Sequence, residues 1–170
     1  MVSDPFAHLK KEQFTVIFGG YKNEGYSKLE SLRDYLRTNN YQKTHLVTNL
    51  NTPSDIKNRK LDADAEIAAK SVHWAKKAQV ALFVFFKDVP YGSADVEMTI
   101  RLSAHEKLAI CTSFFVENGV KLEVVERGFI KAQNNYNVSY FDSKNDLHKM
   151  AKNYCFNHLL QDKCTDTIML

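Results

Sequence analysis

Val80-Ala81-Leu82-Phe83-Val84-Phe85-Phe86 runs without a polar side chain and stops at Asp88-Val89-Pro90-Tyr91-Gly92-Ser93. A short continuous apolar run rich in β-branched and aromatic residues, ended by turn formers, reads as a central strand covered on both faces. Such strands belong to parallel sheets, so the flanking segments should be helical crossovers. Downstream, Ser93 can cap a helix with Asp95 and Glu97 in its acidic first turn, and Val96, Ile100 and Ala104 are expected to form its buried face. Upstream, a helix is expected in which Leu61, Ala65, Ala68, Val72 and Ala75 form a heptad stripe of mostly small residues.

The same alternation continues outward. Phe14 to Phe18 reads as a buried first strand that stops at Gly19-Gly20, preceded by a short helix over Pro5 to Lys11. Tyr26 to Thr38 places Leu29, Leu32 and Leu36 at helical spacing and ends in Asn39-Asn40. Thr44 to Leu50 reads as a second strand, followed by a polar loop over Asn51 to Lys60. Lys107 to Phe115 reads as a fourth strand. The segment after the Asn118-Gly119 turn is open between a hairpin and a helix, with the helix favoured because Leu122, Val125, Phe129 and Ala132 share a face. Tyr136 to Phe141 reads as a fifth strand, and Asp142 or Ser143 can cap a last helix to about Leu160 with Leu147, Met150, Ala151 and Tyr154 inward. Strands alternating with helices imply a three-layer α/β sandwich, Rossmann- or flavodoxin-like, around a mostly parallel five-stranded sheet. Residues 1–170 are expected to form one domain, with 1–12 as an N-terminal arm and 161–170 as a C-terminal tail.

Composition narrows the function classes. With 170 residues, 44% hydrophobic and 25% charged, the chain is an ordinary globular domain. A formal charge of +3, scattered along the chain, gives no basic footprint for nucleic acid. The N-terminus has no apolar leader and no apolar run approaches the ~20 residues of a membrane span, so a cytoplasmic protein with no membrane partner is expected. Cys111, Cys155 and Cys164 are an odd number without C-x-x-C spacing and suggest neither a disulfide framework nor a zinc knuckle. No His or carboxylate set has metal spacing, and neither G-x-G-x-x-G nor a Walker sequence occurs; no metal and no cofactor are expected.

Strand order is not written in the sequence. If it is 2-1-3-4-5, ligands bind beyond the carboxyl ends of strands 1 and 3, where the topology reverses. Those ends carry Gly19-Gly20-Tyr21 and Pro90-Tyr91-Gly92-Ser93. Gly19 and Gly20 either let the backbone approach a ligand closely or merely turn the chain. Tyr21, Tyr26 and Tyr91 either stack on a base and hydrogen-bond a ribose or seal the edge of the core. Glu97 sits in the first helical turn near the same crevice, where a carboxylate can act as nucleophile or general base on a sugar. Arg101 is four residues on and His105 eight, so an exposed Glu97–Arg101 pair, adding about 0.3–0.5 kcal/mol, is the structural alternative.

Gly-Gly-aromatic after the first strand, Ala78-Gln79-Val80-Ala81-Leu82-Phe83-Val84-Phe85, Tyr91-Gly92-Ser93-Ala94-Asp95-Val96-Glu97 and Lys107-Leu108-Ala109-Ile110 together resemble the nucleoside 2-deoxyribosyltransferase family. The likeness covers roughly the first two-thirds of the chain. It implies that Glu97 matches the nucleophile that attacks C1′ of the sugar, and that Gly19, Gly20 and Tyr21 match the first ligand-binding loop. Tyr91, Gly92 and Ser93 then contact the sugar. Gln79 stands where the family has aspartate, and Tyr91 to Ala94 replace an Asp-Ser-Gly-Thr loop whose acid handles the leaving base. The resemblance further implies a nucleoside or nucleotide as ligand and a homodimer or larger homo-oligomer. A non-catalytic nucleotide-sensing module and an assembly module on the same fold are the competing functions.

Overall fold

A computed structural model describes residues 4–92, 94–104, 106–122, 127–128 and 137–161. In chain order the elements are α1 (Ala7–Glu12), β1 (Thr15–Gly19), α2 (Gly25–Thr38), β2 (Thr44–Leu46), a 3-10 turn (Val47–Asn49), α3 (Ser54–Lys57), α4 (Ala63–Lys77), β3 (Val80–Phe85), α5 (Ala94–Ala104), α6 (Glu106–Ile110), β4 (Thr112–Glu117), β5 (Asn137–Phe141) and α7 (Lys144–Leu160). All strand pairs are parallel and the order is β2-β1-β3-β4-β5. This is the expected three-layer α/β sandwich, and the topology reverses between β1 and β3.

Alternation along each strand divides the core in two. Ile17, Val80, Leu82, Val84 and Phe115 face α2 and α7, where Leu29, Leu32, Leu36, Leu147 and Ala151 are buried. Val16, Phe18, Ala81, Phe83, Phe85 and Phe114 face α4 and α5, where Ala75, Ala94, Met98 and Leu102 are buried. Stacked rings of Phe18, Phe83 and Phe114 run across that second face, with centroids 4.8 and 5.7 Å apart. The helix ends follow local chemistry. Asp62 caps α4 by accepting from the Ala65 amide at 2.8 Å, and Ser143 caps α7 by accepting from the Asp146 amide at 3.2 Å.

Several expectations are corrected. The second strand stops at Leu46 because Val47–Asn49 turn into a 3-10 helix, and the polar loop after it contains α3. Leu61 precedes α4 and is exposed, as is Ala68; Ser71 and Ala75 form that helix's buried face. Lys107 to Ile110 belong to α6, and β4 begins only at Thr112. On α5, Val96 is 51% exposed and Ala104 is exposed, while Ala94, Glu97, Met98, Arg101 and Leu102 are buried. Polar residues hold the inward face because Arg101 has an acceptor for its donors there: Nε bonds Thr112 Oγ1 at 2.7 Å, and the two terminal nitrogens bond the carbonyls of Ala75, Ala78, Cys111 and, at 3.5 Å, Gln79. Arg101 therefore ties the end of α4 to the starts of β3 and β4. It is no half of an exposed ion pair. Cys111 is disulfide-bonded, which the cysteine count did not suggest, whereas Cys155 is free and buried. The helix expected over Leu122, Val125, Phe129 and Ala132 falls mainly outside the described residues, as do Ser93 and His105.

Candidate functional site

Parallel strands deliver their following loops to one edge of the sheet. The β1–α2 loop (Gly20 to Glu24), the β3–α5 loop (Phe86 to Gly92) and the residues after β4 (Asn118 to Lys121) meet there. At the reversal point the first two touch. A Cβ on Gly20 would lie 1.9 Å from the Pro90 carbonyl oxygen and 2.8 Å from Val89 Cγ1, and one on Gly25 would lie 2.1 Å from the Gly20 oxygen. A Cβ on Gly19 would lie 2.7 Å from the Val84 oxygen. Gly19 and Gly20 are thus used for close approach of backbone to backbone, and Val89, 6% exposed, plugs the gap between them.

Glu97 enters this region from α5. It is 3% exposed and lies in the first turn, where the helix dipole favours a carboxylate. Tyr21, within range of its charge, points its hydroxyl to the Ile17 carbonyl at 3.5 Å, and its ring lies 6.2 Å from that of Tyr26. Burial pushes the Tyr21 phenol well above the usual tyrosine range; the Glu97 charge adds to the shift and a backbone hydrogen bond at Val47 opposes it. Tyr21 is thus a protonated phenol at the end of β1.

Tyr91 and Gly92 lie on a different surface. Together with Phe86 to Pro90, Asp95 and Gly119 to Lys121, they line a cleft of about 640 Å³ between the ends of β3 and β4. The Tyr91 ring packs edge-on against Phe85 at 5.1 Å, and its hydroxyl donates to the Lys121 carbonyl at 2.9 Å, so it spans the cleft. The Glu117 carboxylate accepts from the Lys87 amide at 2.7 Å and ties the two loops at their base. Asp88 (φ 61°), Gly92 (φ 63°) and Gly119 (φ 93°) all have left-handed backbone on this one cleft. Lys87, Lys121, Asp88 and Asp95 give it both signs of charge.

The expected site is therefore resolved into two parts. Tyr91 and Gly92 come together on the cleft, Tyr21 lies within range of the Glu97 charge, and Glu97 does not line the cleft, because Asp95, two residues before it on the helix, takes that side. Lys87, Gly119 and Lys121 are cleft residues that the sequence reading does not single out. Their signal was present, since Asn118-Gly119 was read as a turn and the carboxyl end of every parallel strand reaches the same edge. Among the described residues no group of three or more His, Cys, Asp or Glu could hold a metal ion, and no helix is long and apolar enough to cross a membrane. The chain matches no protein-family model, no curated protein and no solved structure.

Proposed function

We propose that the protein binds a nucleoside or nucleotide at the carboxyl edge of its sheet and acts on the N-glycosidic bond, with Glu97 as nucleophile. The observation that carries this is the buried Glu97 side chain in the first turn of α5, on the helix that follows β3 at the topological reversal. A carboxylate removed from water is costly, and such groups concentrate at functional sites. In the reaction a Glu97 oxygen bonds to C1′ as the C1′–N bond breaks, and the base leaves with the bonding pair and takes up a proton. A second base, or water, then displaces Glu97 from C1′, gives up the proton that balances the one the leaving base took, and restores its carboxylate. Asp88 and Asp95 bring carboxyl groups to the neighbouring cleft, which Tyr91 and Gly92 also line.

A second reading, a module that binds nucleotide without chemistry, is favoured by one observation: the cleft is lined by Tyr91, Gly92, Lys87 and Lys121 but not by Glu97. Incubation with a panel of nucleosides, deoxynucleosides and monophosphates, following free base and thermal shift together, separates the two. Base release that disappears in Glu97→Gln, with an unchanged melting curve, supports the enzyme. Release that survives the substitution removes Glu97 from the chemistry, and thermal shifts without release favour the binding module.

A further inference from the structure

We propose that a second small-molecule pocket lies between α2 and α7 and takes a single aromatic ring bearing a carboxylate. It does not rest on the function proposed above. The cavity, about 150 Å³, is lined by Lys28, Phe86, Glu117, Phe141, Lys144 and Leu147. It opens on the α2–α7 side of the sheet, and Phe86 is the wall it shares with the cleft. Its interior is made by Phe86, Phe141 and Leu147, each at most 5% exposed, with the two rings edge to face at 6.0 Å. Walls facing empty space forgo dispersion contacts, and a cavity of about 150 Å³ is large enough for a benzene-sized ring.

The mouth supplies the polar half of the recognition. The Lys28 ammonium stands 5.2 Å from the Phe86 ring centroid, in cation–π contact, and Lys144 lies across the opening in the first turn of α7. Glu117 is the one carboxylate at the lining among the described residues, and its Oε2 already accepts from the Lys87 amide. Lys28 also meets Glu24 at 3.6 Å, on the exposed side. Glu24 is 80% exposed on the solvent side and Glu117 is engaged, so the two ammoniums are the charges that a substituent at the opening meets. A ring buried against Phe86 and Phe141 brings its substituent to that opening, where a carboxylate is attracted and an ammonium repelled.

The probe is benzoate, titrated into the whole protein with benzyl alcohol as the neutral counterpart, following the ring resonances of Phe86 and Phe141. Saturable binding in about the millimolar range is expected for so few atoms. Benzyl alcohol should bind about tenfold more weakly, and Lys28→Gln with Lys144→Gln should weaken benzoate by a similar factor. Leu147→Phe fills the cavity and should abolish both. If that variant does not fold, the lysine pair decides. Absence of saturable binding overturns the pocket, and so does binding untouched by the lysine variants or equal for the acid and the alcohol.

Discussion

Replacing Gly20 by Ala tests whether this glycine serves the fold or a ligand. The new Cβ would fall 1.9 Å from the Pro90 carbonyl oxygen, against an ordinary contact of at least 3.4 Å, and 2.8 Å from Val89 Cγ1. Both obstacles are held: Pro90 is backbone, and Val89 is buried in the core between α2 and β3. The loops must part by more than an ångström, which places the substitution in the upper range of overpacking, about 3 kcal/mol. Gly92→Ala is the control. Nothing lies within 4 Å of its Cβ, so its cost is only the left-handed backbone, φ +63°, about 1–2 kcal/mol. Urea unfolding measures both, and with a slope of about 2 kcal/mol/M the midpoints should fall by roughly 1.5 M and 0.5–1 M. A Gly20→Ala protein as stable as the parent, yet unable to bind nucleosides that the parent binds, would show that the space before Gly20 belongs to a ligand and refute the packing account.

Two further substitutions follow. Arg101→Met leaves the carbonyls of Ala75, Ala78 and Cys111 without their donors and should cost about 3–5 kcal/mol by urea titration, with Arg101→Lys restoring only part; a loss below about 1 kcal/mol would dismiss the clamp. His148, stacked on Tyr35 at 4.4 Å, has its pKa held below the ordinary 6.5 by burial first and by the Lys144 charge second. The unfolded chain therefore takes up the proton first, so this stability is present above 6.5 and is lost as the pH falls from there through the lowered folded value. His148→Gln should flatten the acid side of the stability profile, and an unaltered slope would assign it elsewhere, for instance to His45 or His73, whose pKa values burial also lowers.

What the sequence made legible is what periodicity carries. The run from Val80 to Phe86 needed covering on both faces, and that requirement alone leads to parallel pairing, crossover helices and a layered sandwich. It also located the edge of the sheet where loops gather. It failed on α5, where Val96, Ile100 and Ala104 offer a helical apolar stripe but Glu97 and Arg101 turn inward. Hydrophobic pattern ranks arginine as a surface residue. It cannot see that the end of α4 and the starts of β3 and β4 present carbonyls and a hydroxyl in the right places for a guanidinium. Burial lowers the Arg101 pKa to about 9, which still leaves it cationic at neutral pH, as a residue facing the carbonyl end of α4 should be. The same limit explains Gly19 and Gly20: diglycine marks close approach in sequence, but what approaches is fixed only by the fold.

The two places where the chain departs from the transferase pattern also differ in weight. Gln79 lies just before β3, at the amino edge of the sheet, where its side-chain oxygen accepts from the Phe14 amide at 3.1 Å. Residue 79 is thus used in joining β1 to β3 and sits at the opposite edge from Glu97, so its identity bears on packing. Tyr91 stands on the cleft itself, where an aspartate would bring charge and a tyrosine instead brings a ring braced between Phe85 and Lys121. Under the proposed function, the change that bears on chemistry is therefore the one at Tyr91. Arg101 adds a constraint of its own, since it fixes α5 at the amino edge about one helical turn, roughly 6 Å, from Glu97. The position of the carboxylate is then set from the far side of the sheet by the carbonyls that hold the guanidinium, while the cleft beside it is set by Tyr91, Glu117 and the left-handed turns at Asp88 and Gly119. Substitutions at Arg101 should accordingly disturb Glu97 before they disturb the cleft, which separates the two halves of the site by mutation as they are separated in space.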